Sequence, residues 1–271
     1  EMRTFYTEVD GLPSNDVLAV VLAKRGRVVA RTAKGDAVFE EGRWKVATRF
    51  DALFAMKKTV PPAMRSRLAK EGEVLAVAQG PESQAAVGTE SGIFLSDNGG
   101  ARQVFPSHGH RRWAPTNVIV SYDGRGRLWF ASRQGVGCYA EGGWKLYTGA
   151  EGLPYDDLTA VAAAADGTVW FGTAIGAIRF DGSAWAYRQG KRWLPSDAVR
   201  DIAVDADGNA WVATDGGLSF IHFKGMTLAE KAKYYEDEID KHHRRTEFGY
   251  VIGAHAPVAG RKENLHLTDS D

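Results

Sequence analysis

The chain has 271 residues with 34 basic and 34 acidic side chains, and this balance argues against a surface given over to nucleic acid, which binds clustered positive charge. With 44% hydrophobic and 25% charged residues it has the composition of a folded protein, of a length that suits one large domain or two small ones. A single cysteine, Cys138, excludes an internal disulfide framework and a cysteine-based zinc site. No apolar run reaches the length of a membrane-spanning helix, and the opening residues do not have the pattern of a signal peptide.

The N-terminal segment has a counterpart further along the chain. Residues 3–7 (RTFYT), followed by EVDGLP, match residues 144–148 (WKLYT), followed by GAEGLP, with the same spacing from tyrosine to proline. We therefore expect residues 3–7 to form a strand equivalent to the one at 144–148.

A hairpin-like unit recurs between these two segments and beyond them. Its glycines are separated by 57, 43, 41 and 41 residues, at Gly35, Gly92, Gly135, Gly176 and Gly217. Six residues before each of the last three glycines stands a tryptophan that is expected to fill the core between sheets, at Trp129, Trp170 and Trp211. Nine residues after three of the glycines another tryptophan opens a further strand, at Trp44, Trp144 and Trp185.

Each repeat predicts four strands with no helix between them. Apolar segments at 17–23, 158–165 and 199–205 are typical of innermost strands, and glycine turns follow them at Gly26, Gly167 and Gly208. Four strands in 40–45 residues indicate a β-propeller blade, since a parallel βαβ unit would need a helical crossover of about a dozen residues.

The predicted fold class is therefore all-β, a β-propeller of five four-stranded blades. The last repeat lacks a fourth strand of its own, so the N-terminal strand is expected to complete that blade and to close the ring. A larger ring that includes sequence outside this chain is the alternative.

Two segments do not follow the repeat. The basic stretch at 49–70 accounts for the long first spacing and is expected to form a long loop or a short helix. After the predicted propeller domain of residues 1–224, Thr227 and Glu230 form a capping-box pattern, and apolar residues spaced by three and four predict an α-helix to about Arg245. Residues 248–256 predict a strand, and residues 225–271 as a whole predict a helix and linker that lead to a further module of the same chain.

One repeat has the pattern of a known family. The string GLP-x-[ND] followed by DG-x-x-W-[FV]-[GA]-T-x-x-G resembles the two-component regulator propeller repeat, and is carried by Gly152, Leu153, Pro154, Asp156, Asp166, Gly167, Trp170, Gly172, Thr173 and Gly176. The resemblance covers about residues 1–224. It implies an extracytoplasmic, periplasmic or secreted domain that senses a ligand for a bacterial sensor protein, often in connection with polysaccharide use. It implies no catalytic residue.

Residues that depart from the repeat are the candidates for ligand binding. A polar residue two positions after the loop proline recurs at Asn15, Asn117, Asp156 and Asp197, and is expected to bond the backbone two residues on, which is a structural role. In a propeller, the loops that enter the innermost strands share one face with the hairpins between second and third strands. The candidates on this face are Asp16, Arg31, Lys34, Arg133, Gln134, Tyr155, Asp157 and Asp215, a mixture that suits a small polar ligand such as an oligosaccharide.

Other functions are kept as alternatives. A propeller-type polysaccharide lyase, a glycoside hydrolase, an accessory domain of a larger carbohydrate-active enzyme, or a purely structural domain would use the same fold. His108 and His110 suggest a metal only weakly, since no third ligand stands at motif spacing, and no metal, cofactor, nucleic acid or membrane insertion is expected. No phosphate loop, nucleophile elbow or zinc-helix motif is present in the sequence.

Overall fold

The computed structural model describes residues 2–23, 26–47, 50–97, 100–222 and 227–245. Within these residues the strands form five four-stranded antiparallel sheets and one small two-stranded hairpin. The first sheet contains β2 (Val17–Leu22), β3 (Val28–Thr32), β4 (Gly35–Glu40) and β5 (Arg43–Ala47). The second contains β6 (Val74–Gln79), β7 (Ala85–Thr89), β8 (Gly92–Asp97) and β9 (Gly100–Val104). The hairpin of β10 (Ser107–His108) and β11 (Arg111–Arg112) precedes the third sheet.

The remaining sheets follow the same order from inside to outside. The third contains β12 (Ile119–Tyr122), β13 (Leu128–Ser132), β14 (Gly135–Ala140) and β15 (Gly143–Tyr147). The fourth contains β16 (Leu158–Ala163), β17 (Val169–Thr173), β18 (Gly176–Phe180) and β19 (Trp185–Arg188). The fifth contains β20 (Val199–Val204), β21 (Ala210–Thr214) and β22 (Gly217–His222), and its outer strand is the N-terminal β1 (Met2–Tyr6).

The innermost strands of neighbouring sheets lie against one another. β2 contacts β20, β20 contacts β16, β16 contacts β12, and β12 contacts β6. In the fifth sheet β1 runs antiparallel to β22, with Met2 opposite His222 and Tyr6 opposite Leu218. This is the arrangement of propeller blades around an axis, and it joins the two ends of the repeat region in one sheet.

Apolar side chains between adjacent sheets form the core. Trp129 and Trp170 are almost completely buried, and Trp211 is 4% exposed, so the prediction that these tryptophans fill the core is confirmed. Tyr6 of the N-terminal strand lies among Phe39, Trp44 and Trp211, with ring centroids 5.2–5.9 Å apart. The N-terminal strand therefore contributes to the core as well as to the sheet.

A hydroxyl group holds the hairpin between the second and third strands of every sheet. Its O–H donates to the carbonyl of the repeated glycine and its oxygen accepts the N–H two residues on, at Thr32, Thr89, Ser132, Thr173 and Thr214. The glycine that follows has φ between 126° and 150° in all five hairpins, a backbone region that side chains disfavour. This hydroxyl clamp explains why the repeat requires a hydroxyl residue three positions before its glycine.

The segment at 50–68 lies between the first and second sheets. It contains α1 (Asp51–Met56), a 3₁₀ turn (Pro62–Met64) and α2 (Arg65–Leu68), which confirms the expected short helices. Phe50, Leu53 and Phe54 pack on the first sheet, while Met64 and Leu68 pack on the second. Between them, Lys57 accepts the N–H of Val77 on β6 at 2.7 Å, and its Nζ lies 2.5 Å from Asp201 Oδ2 on β20. We call residues 50–68 the wedge.

A separate helix, α3 (Leu228–Arg245), follows the sheets. Its capping box is formed as expected, because Glu230 accepts the N–H and hydroxyl of Thr227 while Thr227 Oγ1 accepts the N–H of Glu230. The sheets and the helix belong to two compact units. No helix in the described part of the chain is long and apolar enough to cross a membrane. The strand expected at 248–256 lies outside the described residues.

Candidate functional site

The loop face is the side of the sheets that carries the loops entering the innermost strands and the clamped hairpins. On this face is a depression of about 470 Å³, here called the mouth depression. Its lining comes from the second, third and fourth sheets and consists of Leu75, Asn117, Ile119, Arg133, Asp157, Leu158 and Thr159. The site therefore lies where three innermost strands begin.

Two of the eight candidate ligand residues line this depression. Arg133 is presented by the hairpin between β13 and β14, which Ser132 clamps. Asp157 is presented by the loop that enters β16. Both residues are exposed, and neither side chain has an ion pair or hydrogen bond to another described residue. Their charged groups are free to meet a ligand.

Arg31 has structural partners. Its guanidinium donates to both carboxylate oxygens of Asp36 at 2.9 and 3.0 Å and to Asp51 at 2.7 Å, and it lies 4.3 Å from the ring centre of Phe54. The bond to Asp36, followed by that to Asp51, raises the pKa of Arg31. Arg31, which replaces the glycine found here in another repeat, therefore fastens α1 of the wedge to the first sheet.

The other charged and amide candidates lie on the loop face but do not line the mouth depression. Lys34 and Gln134 are carried by clamped hairpins, and Lys34 Nζ is 3.4 Å from Glu8. Asp215 is exposed in the hairpin of the fifth sheet. Asp16 differs from them because its Oδ1 is buried without a hydrogen-bond partner among the described residues.

Tyr155 belongs to an aromatic pair at the edge of the loop face. It is 39% exposed, and its ring centre lies 4.8 Å from that of Tyr187 on β19. Tyr187 donates its hydroxyl to the carbonyl of Ile175 at 2.5 Å, and burial raises the pKa of its phenol. Tyr155 therefore offers an exposed ring that packs against Tyr187. It lies two residues from Asp157 in the chain.

The polar residues two positions after the loop proline do not make the hydrogen bond that the sequence predicted for them. Asn15 Oδ1 accepts the N–H of Glu8 at 2.8 Å, and Asp197 Oδ1 accepts that of Gly190 at 2.6 Å, so both reach back seven residues. The bond to the backbone two residues on is made by the preceding serine, as in Ser14 to the N–H of Asp16 at 3.2 Å. The side chains of Asn15 and Asp197 thus brace the loops that enter β2 and β20.

Asn117 was expected to have a structural role, but it lies in the candidate site. It has φ of 53°, is exposed, and lines the mouth depression beside Arg133 and Asp157. Asparagine adopts a positive φ more readily than most residues, and this conformation is not visible in the sequence. The aliphatic residues Leu75 and Ile119 were missed because they look like ordinary strand residues.

A second capping box fixes the loop that carries Asp157. Glu151 accepts the N–H and hydroxyl of Thr148 at 2.7 and 2.8 Å and pairs with Arg111 at 2.7 Å. The two bonds from Thr148, followed by that from Arg111, lower the pKa of Glu151 to about 2. The carboxylate therefore stays ionised and holds the start of the loop at neutral pH.

The two histidines considered for a metal, His108 and His110, lie in and beside the short strand β10. The N–H of Leu146 lies 3.5 Å from His108 Nδ1 in the hairpin of β10 and β11. No group of three or more histidine, cysteine or acidic side chains suited to a metal occurs among the described residues.

The comparison with protein families agrees with the repeat pattern found in the sequence. The two component regulator propeller model matches residues 194–216, in the fifth repeat, and confirms that the chain carries this propeller repeat. No curated protein matches the chain.

Similar solved structures include one whose TM-score indicates the same kind of fold. A structural genomics protein of unknown function from Bacteroides thetaiotaomicron VPI-5482 superposes with a TM-score of 0.52 at 9% identity, over 78% of this chain and 70% of that one. The extracellular domain of a protein described as a hybrid two component system from B. thetaiotaomicron gives a TM-score of 0.46 at 15% identity, over 79% of this chain. The chain spans 28% of the length of that domain. Virginiamycin B lyase from Staphylococcus aureus gives a TM-score of 0.41 at 13% identity, over 84% of this chain and 74% of the lyase.

Proposed function

We propose that the chain is the ligand-binding propeller of a sensor protein, five-bladed and closed by its N-terminal strand, and that it binds a small acidic saccharide in the mouth depression. The observation that carries the proposal is the presence of Arg133 and Asp157, neither with a side-chain partner among the described residues, in one depression with the amide of Asn117. A free guanidinium beside a free carboxylate and an amide suits a ligand that has both an acidic group and hydroxyls.

Each group has a distinct role in this proposal. The planar guanidinium of Arg133 binds a carboxylate through two parallel hydrogen bonds. Asp157 accepts hydrogen bonds from the hydroxyl groups of the sugar, while the amide of Asn117 both donates and accepts hydrogen bonds. The aliphatic side chains of Leu75 and Ile119 contact the C–H face of a sugar ring, and a longer oligosaccharide extends towards the exposed ring of Tyr155.

The lining favours binding over hydrolysis. Among the described residues that line the mouth depression, Asp157 is the sole carboxylate and there is no histidine. Most glycoside hydrolases need a pair of carboxyl groups at the scissile bond. The lyase and hydrolase alternatives therefore receive no support from this arrangement.

The sensor role rests on the family. The two component regulator propeller repeat supports an extracytoplasmic location and a further module of the same chain as the partner. In this proposal the propeller supplies recognition, and another part of the protein supplies the response.

Calorimetry against a panel of oligosaccharides tests the proposal. Uronate-containing oligomers should bind in the micromolar-to-millimolar range and their neutral counterparts more weakly. Arg133→Ala should weaken binding about tenfold or more, which corresponds to the ~1.5–3 kcal/mol of hydrogen bonds to a charged group. Replacing both Tyr155 and Arg133 with alanine should abolish binding while changing stability by less than about 1 kcal/mol.

Matched variants distinguish binding at the mouth depression from a general effect of positive charge on the surface. Arg133→Lys keeps the charge but not the paired geometry and should bind almost as poorly as Arg133→Ala. Arg43→Ala removes an exposed arginine at the outer edge of the first sheet and should bind normally. Equal binding of neutral and acidic oligomers, or full binding by Arg133→Ala, would overturn the proposal. Cleavage of a bound oligomer over hours would favour the enzyme alternative.

A further inference from the structure

Basic side chains collect around one tryptophan in the loop that enters the fifth sheet. Trp193 lies in this loop, between β19 and β20, and is half-buried against the core of the fourth and fifth sheets. The guanidinium carbon of Arg188 on β19 is 4.6 Å from the centre of its ring, and that of Arg192 is 5.5 Å from it. Two cations are therefore held over one indole.

Two further cations reach the same loop. Arg3 on β1 donates from Nε to the carbonyl of Arg192 at 2.5 Å, which joins the outer strand of the fifth sheet to the loop. Lys191 is exposed, and its Nζ donates to the carbonyl of Pro195. Cations from β1, from β19 and from the loop itself thus converge. We call this group the indole site: Arg3, Arg188, Lys191, Arg192 and Trp193.

The charge of this loop is the reverse of that of two equivalent loops. The loop that enters the first sheet reads TEVDGLP at 7–13, and the loop that enters the fourth reads TGAEGLP at 148–154. The loop that enters the fifth sheet reads QGKRWLP at 189–195, so an arginine and a tryptophan replace an acid and a glycine. In the first two loops the acid closes a capping box with its threonine, which Arg192 cannot do. The replacement therefore puts positive charge where the other loops use a carboxylate for structure.

The basic residues of the indole site also differ from those of the third sheet's loop. That loop has the similar sequence HRRWAP at 110–115, but there Arg111 pairs with Glu151 at 2.7 Å. Lys191 and Arg192 have no ion pair with an acidic side chain in the described part of the chain. Their charges are therefore available to a ligand.

An anion suits this arrangement. Cations that are held close together repel one another, so an anion that binds between them is favoured. The N–H groups of arginine form a planar set that matches a carboxylate or a sulfate, and lysine adds a compact charge. The acid of the same loop, Asp197, accepts the N–H of Gly190 at 2.6 Å and so has a structural contact of its own. Because the cations come from three elements, a chain with several anionic groups fits them better than a single ion.

We propose that the indole site binds an acidic polysaccharide, a chain of sugars that carries carboxylate or sulfate groups. Arg192 and Lys191 bind the oxyanion groups of neighbouring sugars, and the exposed part of Trp193 contacts a C–H face of the chain. The balanced charge of the whole protein, 34 basic against 34 acidic residues, favours a saccharide over a nucleic acid. The indole site shares no residue with the mouth depression, so it is a second site that goes beyond the function proposed above.

NMR of the indole N–H groups tests the proposal directly. The chain has eight tryptophans, so ¹⁵N labelling gives eight indole signals, and Trp193→Phe identifies the signal of Trp193. The probes are galacturonate as monomer, trimer and hexamer, a heparin-derived hexasaccharide, and maltohexaose as the neutral control. We expect a saturable shift of the Trp193 signal with an acidic hexamer, tighter binding as the oligomer lengthens, and no shift with maltohexaose.

Two comparisons refine this result. The heparin and galacturonate probes decide whether the bound oxyanion is a sulfate or a carboxylate. Raising the salt concentration from about 50 to about 500 mM should weaken the response, because salt screens exposed charges.

Charge reversal at equivalent places in two loops tests the assigned contacts. Arg192→Glu installs the acid type that the first and fourth loops have at this place and should weaken binding about tenfold or more, while Lys191→Ala should weaken it less. Arg112→Glu makes the same change in the third sheet's loop, where Arg112 also precedes a tryptophan and lies 5.3 Å from the ring centre of Phe105. That variant and Arg133→Ala should leave the Trp193 response unchanged. Urea unfolding checks that each variant keeps the stability of the parent protein.

Four results would overturn the proposal. These are the absence of a saturable Trp193 shift with either acidic hexamer, an equal shift with maltohexaose, an equal loss of binding in Arg192→Glu and Arg112→Glu, and tighter binding of hexaglutamate or a single-stranded DNA hexamer than of the acidic saccharides. Because the readout is local to the indole site, none of them depends on whether the mouth depression binds a saccharide.

Discussion

Replacing Trp170 with alanine should destabilise the sheets by about 3–5 kcal/mol, and the structure explains the size of the effect. The side chain is completely buried in the core between the fourth and fifth sheets, beside Ile202 and Val212. A buried tryptophan removes about 150–250 Å² from water, which at ~25 cal/mol per Å² is worth about 4–6 kcal/mol. Its Nε1–H has no partner among the described residues, so removing it returns about 1 kcal/mol.

Trp129 provides a matched comparison. It is equally buried, but its Nε1–H donates to Asp123 Oδ2 at 3.0 Å. Trp129→Phe breaks a bond to a carboxylate, whereas Trp170→Phe removes an unpaired donor of the same kind. We expect Trp129→Phe to lose about 1–3 kcal/mol more than Trp170→Phe.

Urea unfolding followed by far-UV circular dichroism measures these differences, with an unchanged m-value as the control for two-state behaviour. A loss near zero for Trp170→Ala would mean that the side chain is exposed and that the packing of the fourth and fifth sheets is different. Equal losses in the two phenylalanine variants would contradict the assigned hydrogen bonding.

Three further predictions concern the ring and its loops. Deleting residues 1–10 removes the strand that pairs with β22, and it should cost several kcal/mol or cause aggregation, whereas an unchanged melting curve would contradict closure by this strand. Because the pKa of Glu151 falls from 4.5 to about 2 on folding, its contribution to stability is present above about pH 4.5 and is lost as the pH falls towards 2. Glu151→Gln should therefore flatten the pH dependence of unfolding in this window, and equal acid sensitivity of both proteins would refute this. A double-mutant cycle of Lys57→Met and Asp201→Asn should give a coupling of about 1 kcal/mol, and a coupling of zero would mean that this contact does not tether the wedge.

The repeating part of the fold could be predicted because its signals are local. A turn glycine, a hydroxyl three residues before the repeated glycine and a tryptophan at a fixed spacing each act within one hairpin. The match between residues 3–7 and 144–148 then indicated the pairing of the N-terminal strand, since equivalent sequences occupy equivalent places in a repeat.

The contacts that seat the wedge, and those that distinguish one candidate residue from another, are not visible as a sequence pattern. Lys57 and Asp201 are 144 residues apart, and no spacing rule relates them. Arg31 and Arg133 both depart from the repeat and look alike in the sequence. Only the structure distinguishes them, because Arg31 has Asp36 and Asp51 beside it, whereas the side chain of Arg133 has no partner in the described part of the chain.

The hydroxyl clamp has a consequence for how such a surface can change. In four of the five hairpins the clamp joins one hydroxyl to backbone atoms, so the two residues between the hydroxyl residue and the glycine take part through their backbone alone. In the second sheet the hydroxyl of Ser91 also lies 3.1 Å from that of Thr89. Elsewhere the side chains of these two residues can be exchanged without altering the loop that carries them. Outside Glu90 and Ser91, which make side-chain bonds, and Gly216, where a Cβ would lie 2.9 Å from Ser196, natural selection or a designed library can therefore vary these hairpin positions at little loss of stability. An antibody varies its binding loops on a constant framework in the same way.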